Sequence, residues 1–263
     1  MPSKPLGELA LMDFSDTSLF LEGQILLVDK PLGWTSFDVV NKIRYHLRHA
    51  LGIKKIKVGH AGTLDPLATG VLVVCTGQAT KSIEQLQSDS KTYEAAIRLG
   101  AITPCLDTEL PVDQWTSAKH LQFEQIVNAA AQWTGSFDQM PPLYSAKKIK
   151  GQKAYAVARK GGEINLKTAP ITVRQFDIKE VTHEQVDGHH VVDVQATIDC
   201  SKGTYIRALA RDLGKSLEVG GHLIALQRTR SGPYSLDQCQ SLDAILEAII
   251  PVTQTPSDSS VDL

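Results

Sequence analysis

The chain has 263 residues, 42% hydrophobic and 21% charged, which excludes a disordered or fibrous protein and leaves room for one large domain or two small ones. Its formal net charge of −2 excludes a globally basic nucleic-acid binder, so a polyanionic partner has to be held by local patches. No stretch approaches the roughly 18 to 20 apolar residues of a membrane span and no signal peptide is visible, so a soluble cytoplasmic protein is expected.

In chain order, residues 1–22 mix Pro, Ser, Asp and scattered hydrophobics without periodicity and read as a tail that can dock but is not catalytic. Ile25-Leu26-Leu27-Val28 then predicts a short buried strand ending at Asp29-Lys30-Pro31. Ser36 is placed to cap a helix in which Val39, Ile43 and Leu47 recur every four residues. Lys30, just before that helix, reads on its own as an exposed strand-end lysine. After a glycine-rich loop come an apolar strand from Val71 to Cys75, a short helix over 79–87 and an alternating strand from Lys91 to Leu99. Tyr93, Ala95, Ile97 and Leu99 share one face of that last strand. Residues 119–133 predict a helix with a stripe of Leu121, Ile126 and Ala129-Ala130.

Residues 137–168 change character, with Met140-Pro141-Pro142, several lysines and Gly161-Gly162, and suit a mobile insertion. Strands resume at Ile171. Val192, Val194, Ala196, Ile198 and Cys200 alternate with polar residues, after a turn at Asp187-Gly188. A helix follows Ser201-Lys202-Gly203-Thr204, then a strand from His222 to Leu226 and a last helix from Leu242 to Ile250. The end from Pro251 to residue 263 is Ser/Asp/Thr-rich and reads as disordered. Strands and helices mix without a strict alternating rhythm, which predicts an α+β fold with a mostly antiparallel sheet. Cys75, Cys105, Cys200 and Cys239 are far apart and the eight histidines form no ligand motif, so no metal site is expected.

Chemistry concentrates in residues 59–72, Gly59-His60-Ala61-Gly62-Thr63-Leu64-Asp65-Pro66-Leu67-Ala68-Thr69-Gly70-Val71-Leu72. Asp65 is the only ionisable side chain between His60 and the following strand, and Pro66 biases it towards an extended conformation. Its residues alone allow two roles, a turn-starting Asp-Pro or a loop built to present one carboxylate. Three lysine or arginine clusters lie beside candidate functional loops: Lys54, Lys55 and Lys57; Lys147, Lys148, Lys150 and Lys153; and Arg228 with Arg230. They read either as solvated faces or as phosphate contacts.

That loop resembles the catalytic motif of the TruB family of tRNA pseudouridine synthases. Asp29-Lys30-Pro31-Leu32-Gly33-Trp34-Thr35-Ser36, Lys91-Thr92-Tyr93, Pro142-Leu143-Tyr144-Ser145-Ala146-Lys147 and Ser201-Lys202-Gly203-Thr204-Tyr205-Ile206-Arg207 match the same family in the same order. The resemblance covers residues 23 to about 250. It implies a pseudouridine synthase fold, with a mixed, mostly antiparallel central sheet flanked by helices, a catalytic domain over 23–250 and an RNA-gripping insertion at 137–168.

It further implies isomerisation of the T-loop uridine of tRNA, position 55, with no cofactor or metal and no protein partner, by a chain acting as a monomer. Asp65 resembles the family's catalytic aspartate and Arg207 the arginine that pairs with it; without the resemblance Arg207 would read as a helix-surface residue. Tyr93, by position a core aromatic, resembles the tyrosine that stacks on the uracil and takes part in removing the C5 proton. Tyr205 and Leu223 resemble pocket residues, the former sharing a face with Arg207 if the local chain is extended. His60 resembles the histidine that fills the space of the extruded base, against the alternative of a satisfied loop histidine. Lys30 takes a site-shaping role, and Lys147 and Lys148 grip T-stem phosphates.

The sequence leaves open whether Asp65 attacks C6 or C1′ or assists a glycal route. It departs from the family at Ala61, at Pro104, Cys105 and Leu110, and at Gln227, and no residues remain for the C-terminal PUA-type domain of longer members. Rival expectations are a tRNA-folding chaperone, the catalytic subunit of a guide-RNA pseudouridylation particle, which usually retains that domain, and an Asp-dependent RNA hydrolase.

Overall fold

A computed structural model describes residues 10–87, 90–144, 148–149, 152–153 and 166–249. Its strands are β1 (Ala10–Leu11), β2 (Gln24–Lys30), β3 (Val58–His60), β4 (Ala68–Thr76), β5 (Lys91–Leu99), β6 (Ala101–Ile102), β7 (Gln114–Trp115) and β8 (Gly135–Gln139). They continue with β9 (Lys148–Ile149), β10 (Gln152–Lys153), β11 (Ala169–Val186), β12 (His189–Cys200), β13 (Gly221–Ser231), β14 (Tyr234–Ser235) and β15 (Gln240–Ser241). The helices are α1 (Leu19–Glu22), α2 (Ser36–Ala50), α3 (Ile83–Gln87), α4 (Phe123–Ala131), α5 (Ile206–Ser216) and α6 (Leu242–Ala248). This is the α+β class expected, with pairing mostly antiparallel; β1 and β15 run parallel to β2.

The chain divides into two units, the first comprising residues 1–66, 70–87 and 236–263, the second 67–69 and 88–235. In the first, β2 pairs antiparallel with β4, and β3 pairs with β4. Val39, Val40, Ile43, Leu47 and Ala50 of α2 pack on Leu26, Val28, Leu72 and Val74 of the strands and on Leu242 and Ile245 of α6. The i, i+3, i+4 spacing read in α2 is this buried stripe. Residues 10–22, expected as part of a tail, form β1 and α1 and send Phe20 into the same core.

The cap of α2 differs from expectation. Thr35, extended at φ −74° and ψ 154°, accepts from the Asp38 N–H, and the Asp38 carboxylate accepts from the Thr35 N–H in return. This reciprocal box satisfies two N-terminal donors, so the cap falls one residue earlier than Ser36. Ser36, now inside the helix, is buried and has a different task described below.

In the second unit the strand order is β13-β5-β12-β11-β8, all antiparallel. The alternation read in β12 holds: Val192, Val194, Ala196, Ile198 and Cys200 are buried. Asp187 and Gly188, at φ 51° and 79°, close the β11–β12 hairpin, where a two-residue turn needs two positive φ angles. Gln139 and Ala169 are register partners, so the segment expected as an insertion departs from and returns to neighbouring strands, and its first residues, 137–139, belong to β8. Most of residues 140–168, including Lys147, Lys150 and Gly161-Gly162, lie outside the described residues, as does the end from residue 250.

Candidate active site

In the first unit Asp65 is partly buried on the loop between β3 and β4, and its two neighbours are fixed by the backbone. On one side, the Ser36 hydroxyl accepts from the Leu64 N–H at 2.8 Å and donates to the Leu64 carbonyl at 3.1 Å. On the other, the Pro66 carbonyl accepts from the Gly33 N–H at 2.8 Å and from Lys30 Nζ at 3.3 Å. The loop is anchored behind as well: Ala61 N–H donates to the Val73 carbonyl, and Gly70 N–H to the Asp29 carboxylate. A loop held at both neighbours of its carboxylate presents that group in one direction with little conformational entropy left to lose.

Lys30 corrects the exposed strand-end expectation. Its side chain is 0% exposed, and Nζ also donates to the carbonyls of Pro31 at 2.9 Å and Trp34 at 2.6 Å. A buried ammonium needs such acceptors to offset lost hydration. Here they fold the 31–34 turn against Pro66. His60 ends β3, opposite Val74.

Tyr93, Tyr205, Arg207 and Leu223 belong to the second unit. Arg207 lies in the first turn of α5 and is 7% exposed, not on a solvated helix face. Its Nη1 donates to the Cys105 carbonyl at 2.9 Å and stands 3.4 Å from Asp107 Oδ2, while Nη2 donates to the Tyr144 carbonyl at 2.9 Å. Two carbonyls and a carboxylate fix the plane of the guanidinium. Gln139 sets the start of α5: its amide donates to the Tyr205 carbonyl and accepts from the Tyr205 N–H. Tyr205 is extended but Arg207 is helical, so the strand-like alternation needed to put both on one face stops at Tyr205.

Tyr93 is buried in β5, opposite Ile198 of β12 and Arg228 of β13. Leu223 is buried on β13, and its N–H donates to the Leu106 carbonyl. That carbonyl belongs to the 103–107 turn, which carries the family departures Pro104 and Cys105. Thr103 Oγ1 donates to the Asp107 carbonyl at 2.7 Å, and Leu106 takes a positive φ of 64°. The turn is therefore closed, with Thr103, Cys105, Leu106 and Asp107 buried and Pro104 exposed, and it supplies both the Cys105 carbonyl and the Asp107 carboxylate to Arg207.

The second unit thus gathers Arg207, Asp107 and the Leu106–Leu223 contact, while the first gathers Asp65, Lys30 and Ser36. Asp107, Gln139 and the loop-holding role of Ser36 were not read from the sequence; the carboxylate in Leu106-Asp107-Thr108 was the one available signal. Arg228 is 1% exposed, which removes it from the phosphate-contact cluster; Arg230 is exposed. Lys148 lies in β9, its side chain outside the described residues, as is Lys147. Among the described residues no group of three or more His, Cys, Asp or Glu could hold a metal, and no helix is long and apolar enough to cross a membrane.

Residues 48–206 match the family model described as TruB family pseudouridylate synthase, N terminal domain. Residues 207–262 match the tRNA pseudouridylate synthase B C-terminal domain. The chain is 47% identical over 228 residues to tRNA pseudouridine synthase B of Phocaeicola vulgatus, covering 87% of this chain and 94% of that protein. It is 42% identical over 231 residues to the protein of the same name from Flavobacterium johnsoniae, covering 88% and 97%. Among solved structures, a chain in the crystal structure of a Cbf5-Nop10-Gar1 complex matches with a TM-score of 0.63 at 26% identity. That match covers 88% of this chain and 56% of the other. Model matches that together run from residue 48 to 262, and relatives more than 40% identical over nearly their whole length, establish that the chain belongs to the TruB family of pseudouridylate synthases.

Proposed function

We propose that this protein converts the T-loop uridine of tRNA, position 55, to pseudouridine, with Asp65 as the nucleophile. The observation that carries the reading is the fixed placement of Asp65 between Leu64, held by Ser36, and Pro66, held by Gly33 and Lys30. Relatives named as tRNA pseudouridine synthases over nearly their full length support tRNA as substrate. They favour it over a guide-RNA particle, since the Cbf5 chain is matched over little more than half its length.

The reaction breaks the C1′–N1 bond, turns the uracil and joins C5 to C1′; C5 gives up a proton and N1 gains one, so composition is unchanged. An ionised Asp65 supplies the nucleophile, and the isomerisation calls for no electron acceptor. Arg207 pairs with Asp65 and keeps it ionised, as a guanidinium fixed by other acceptors does for a neighbouring carboxylate. Tyr93 stacks on the uracil: a flat face constrains the plane of the ring but not its in-plane rotation. Leu223 and Tyr205 line the base pocket, His60 fills the place of the extruded base, and Lys147 and Lys148 hold T-stem phosphates.

The test is product mapping on an unmodified tRNA transcript with wild type and Asp65→Asn. Pseudouridine at the T-loop uridine with wild type only, at equal tRNA affinity, is the expected result. Normal turnover by the variant would remove Asp65 from the chemistry; product at another uridine would remove the T loop.

A further inference from the structure

Between Asp38 and Asp65 the chain carries no carboxylate at all, yet it holds Lys42, Arg44, Arg48, Lys54, Lys55 and Lys57 in a protein whose net charge is −2. Helix α2 buries one stripe, and its opposite face exposes Lys42, Tyr45, Arg48 and His49. Tyr45 is 57% exposed, and its ring lies 4.3 Å from that of His49 at 54°. Arg44 is used internally, donating to Asn41 and to the Val58 carbonyl. Among the described residues, Lys42, Arg48, Lys54 and Lys55 are exposed and form no ion pair.

A helix C-terminus favours cations for its own sake, which accounts for Arg48 and His49. It does not account for Lys42 in mid-helix or for the lysines beyond the helix end. Ser36, at the start of α2, touches Leu64 beside the proposed nucleophile. Arg48 lies twelve residues further on, about 18 Å along the axis at 1.5 Å per residue. The basic face therefore begins at Lys42, about 9 Å along the axis from the helix end that touches the Asp65 loop, and runs away from that loop.

From this charge pattern we infer that the outer face of α2, centred on Lys42, Tyr45 and Arg48 and continued by Lys54 and Lys55, is a second RNA-binding surface that takes the phosphate backbone of the same tRNA away from its target loop. The inference rests on the tRNA-modifying reading above. Asp38 lies one turn before Lys42, yet none of these cations is tied up in an ion pair among the described residues, which leaves them available to a polyphosphate backbone, and the Tyr45–His49 pair offers a ring face for an adjoining nucleotide.

The test compares wild type with the double variant Lys42→Gln, Arg48→Gln on two RNAs, the full-length tRNA transcript and its isolated T stem-loop, across a range of salt. Both side chains are exposed and outside the core, so folding is expected to be unaffected. Affinity for full-length tRNA should fall roughly tenfold and its log–log salt slope become shallower by roughly 2, while stem-loop binding and turnover stay unchanged. Equal losses on both RNAs would place these side chains at the target loop and overturn a separate surface. Unchanged affinity for both would overturn it too, as would unchanged tRNA affinity with lost binding to anionic phospholipid vesicles. Wild-type turnover of the stem-loop monitors the underlying reading: if it fails, both proposals fall; if it proceeds while full-length affinity is unaltered in the variant, only the second surface does.

Discussion

Asp107 Oδ2 stands 3.4 Å from Arg207 Nη1 with both side chains about nine-tenths buried, across 100 residues of sequence. The same Arg207 nitrogen donates to the Cys105 carbonyl, so one turn offers the guanidinium both a charge and a carbonyl dipole. A residue this fixed is suited to orienting a second carboxylate rather than to solvating a surface. Asp107→Asn keeps the shape of the turn but removes the charge. It should lower single-turnover rate by more than tenfold with tRNA affinity within about threefold, and cost roughly 1–3 kcal/mol of stability by denaturant melting. An unchanged single-turnover rate would confine Asp107 to a structural role.

Lys30 gathers three carbonyls around one buried ammonium. Lys30→Met keeps much of the volume but leaves those oxygens short of a donor in a site closed to water. The expected cost is roughly 2–4 kcal/mol, read as a lower urea midpoint at unchanged slope. Because the Pro66 carbonyl is released next to Asp65, turnover should fall even at temperatures where the variant is folded. A fully folded, fully active Lys30→Met protein would refute the anchoring role.

Ser36 and Thr35 are adjacent hydroxyls with separable jobs. Thr35→Ala removes the cap of α2 and should cost about 1 kcal/mol with little change in turnover. Ser36→Ala removes both bonds to Leu64 and should cost a similar amount of stability while lowering kcat about tenfold. Denaturant melts and steady-state kinetics on the two variants side by side check this split; equal kinetic effects would dissolve it.

How far the sequence carried these conclusions depended on how local the cause was. The α2 stripe, the β12 alternation and the Asp187-Gly188 turn were legible because helical period, strand period and turn chemistry act within a few residues. Asp65 was visible as a lone carboxylate in a short glycine-rich loop, but its residues alone also read as a turn-starting Asp-Pro, and the catalytic role proposed for it came from the family resemblance. Lys30 and Arg228 were misplaced because a lysine or arginine reads as exposed unless its acceptors are known, and for Lys30 one of those is Pro66, 36 residues away. Asp107 was missed because the group that gives it meaning, Arg207, is brought to it only by the fold. The cap assigned to Ser36 failed on a subtler point. Two hydroxyls in a row were both competent, and the Asp38 carboxylate three residues after Thr35 decided between them.

His222 provides a pH-dependent prediction. It is 2% exposed on β13, and burial holds its pKa below the ordinary 6.5, with Nδ1 2.9 Å from the Ala101 carbonyl favouring the neutral ring protonated at Nδ1. Above pH 6.5 neither the folded nor the unfolded chain carries a proton charge here, and the full stability is present. As pH falls below about 6.5 the unfolded chain binds a proton that the native state does not, so stability drops until the lowered native pKa is reached. The limiting slope for one such group is about 1.4 kcal/mol per pH unit. His222→Gln retains a donor for Ala101 but cannot titrate. Unfolding free energies measured at pH 8 and pH 5 should therefore differ less in His222→Gln than in wild type. An equal pH dependence in the two proteins would show that His222 is not buried in its neutral form.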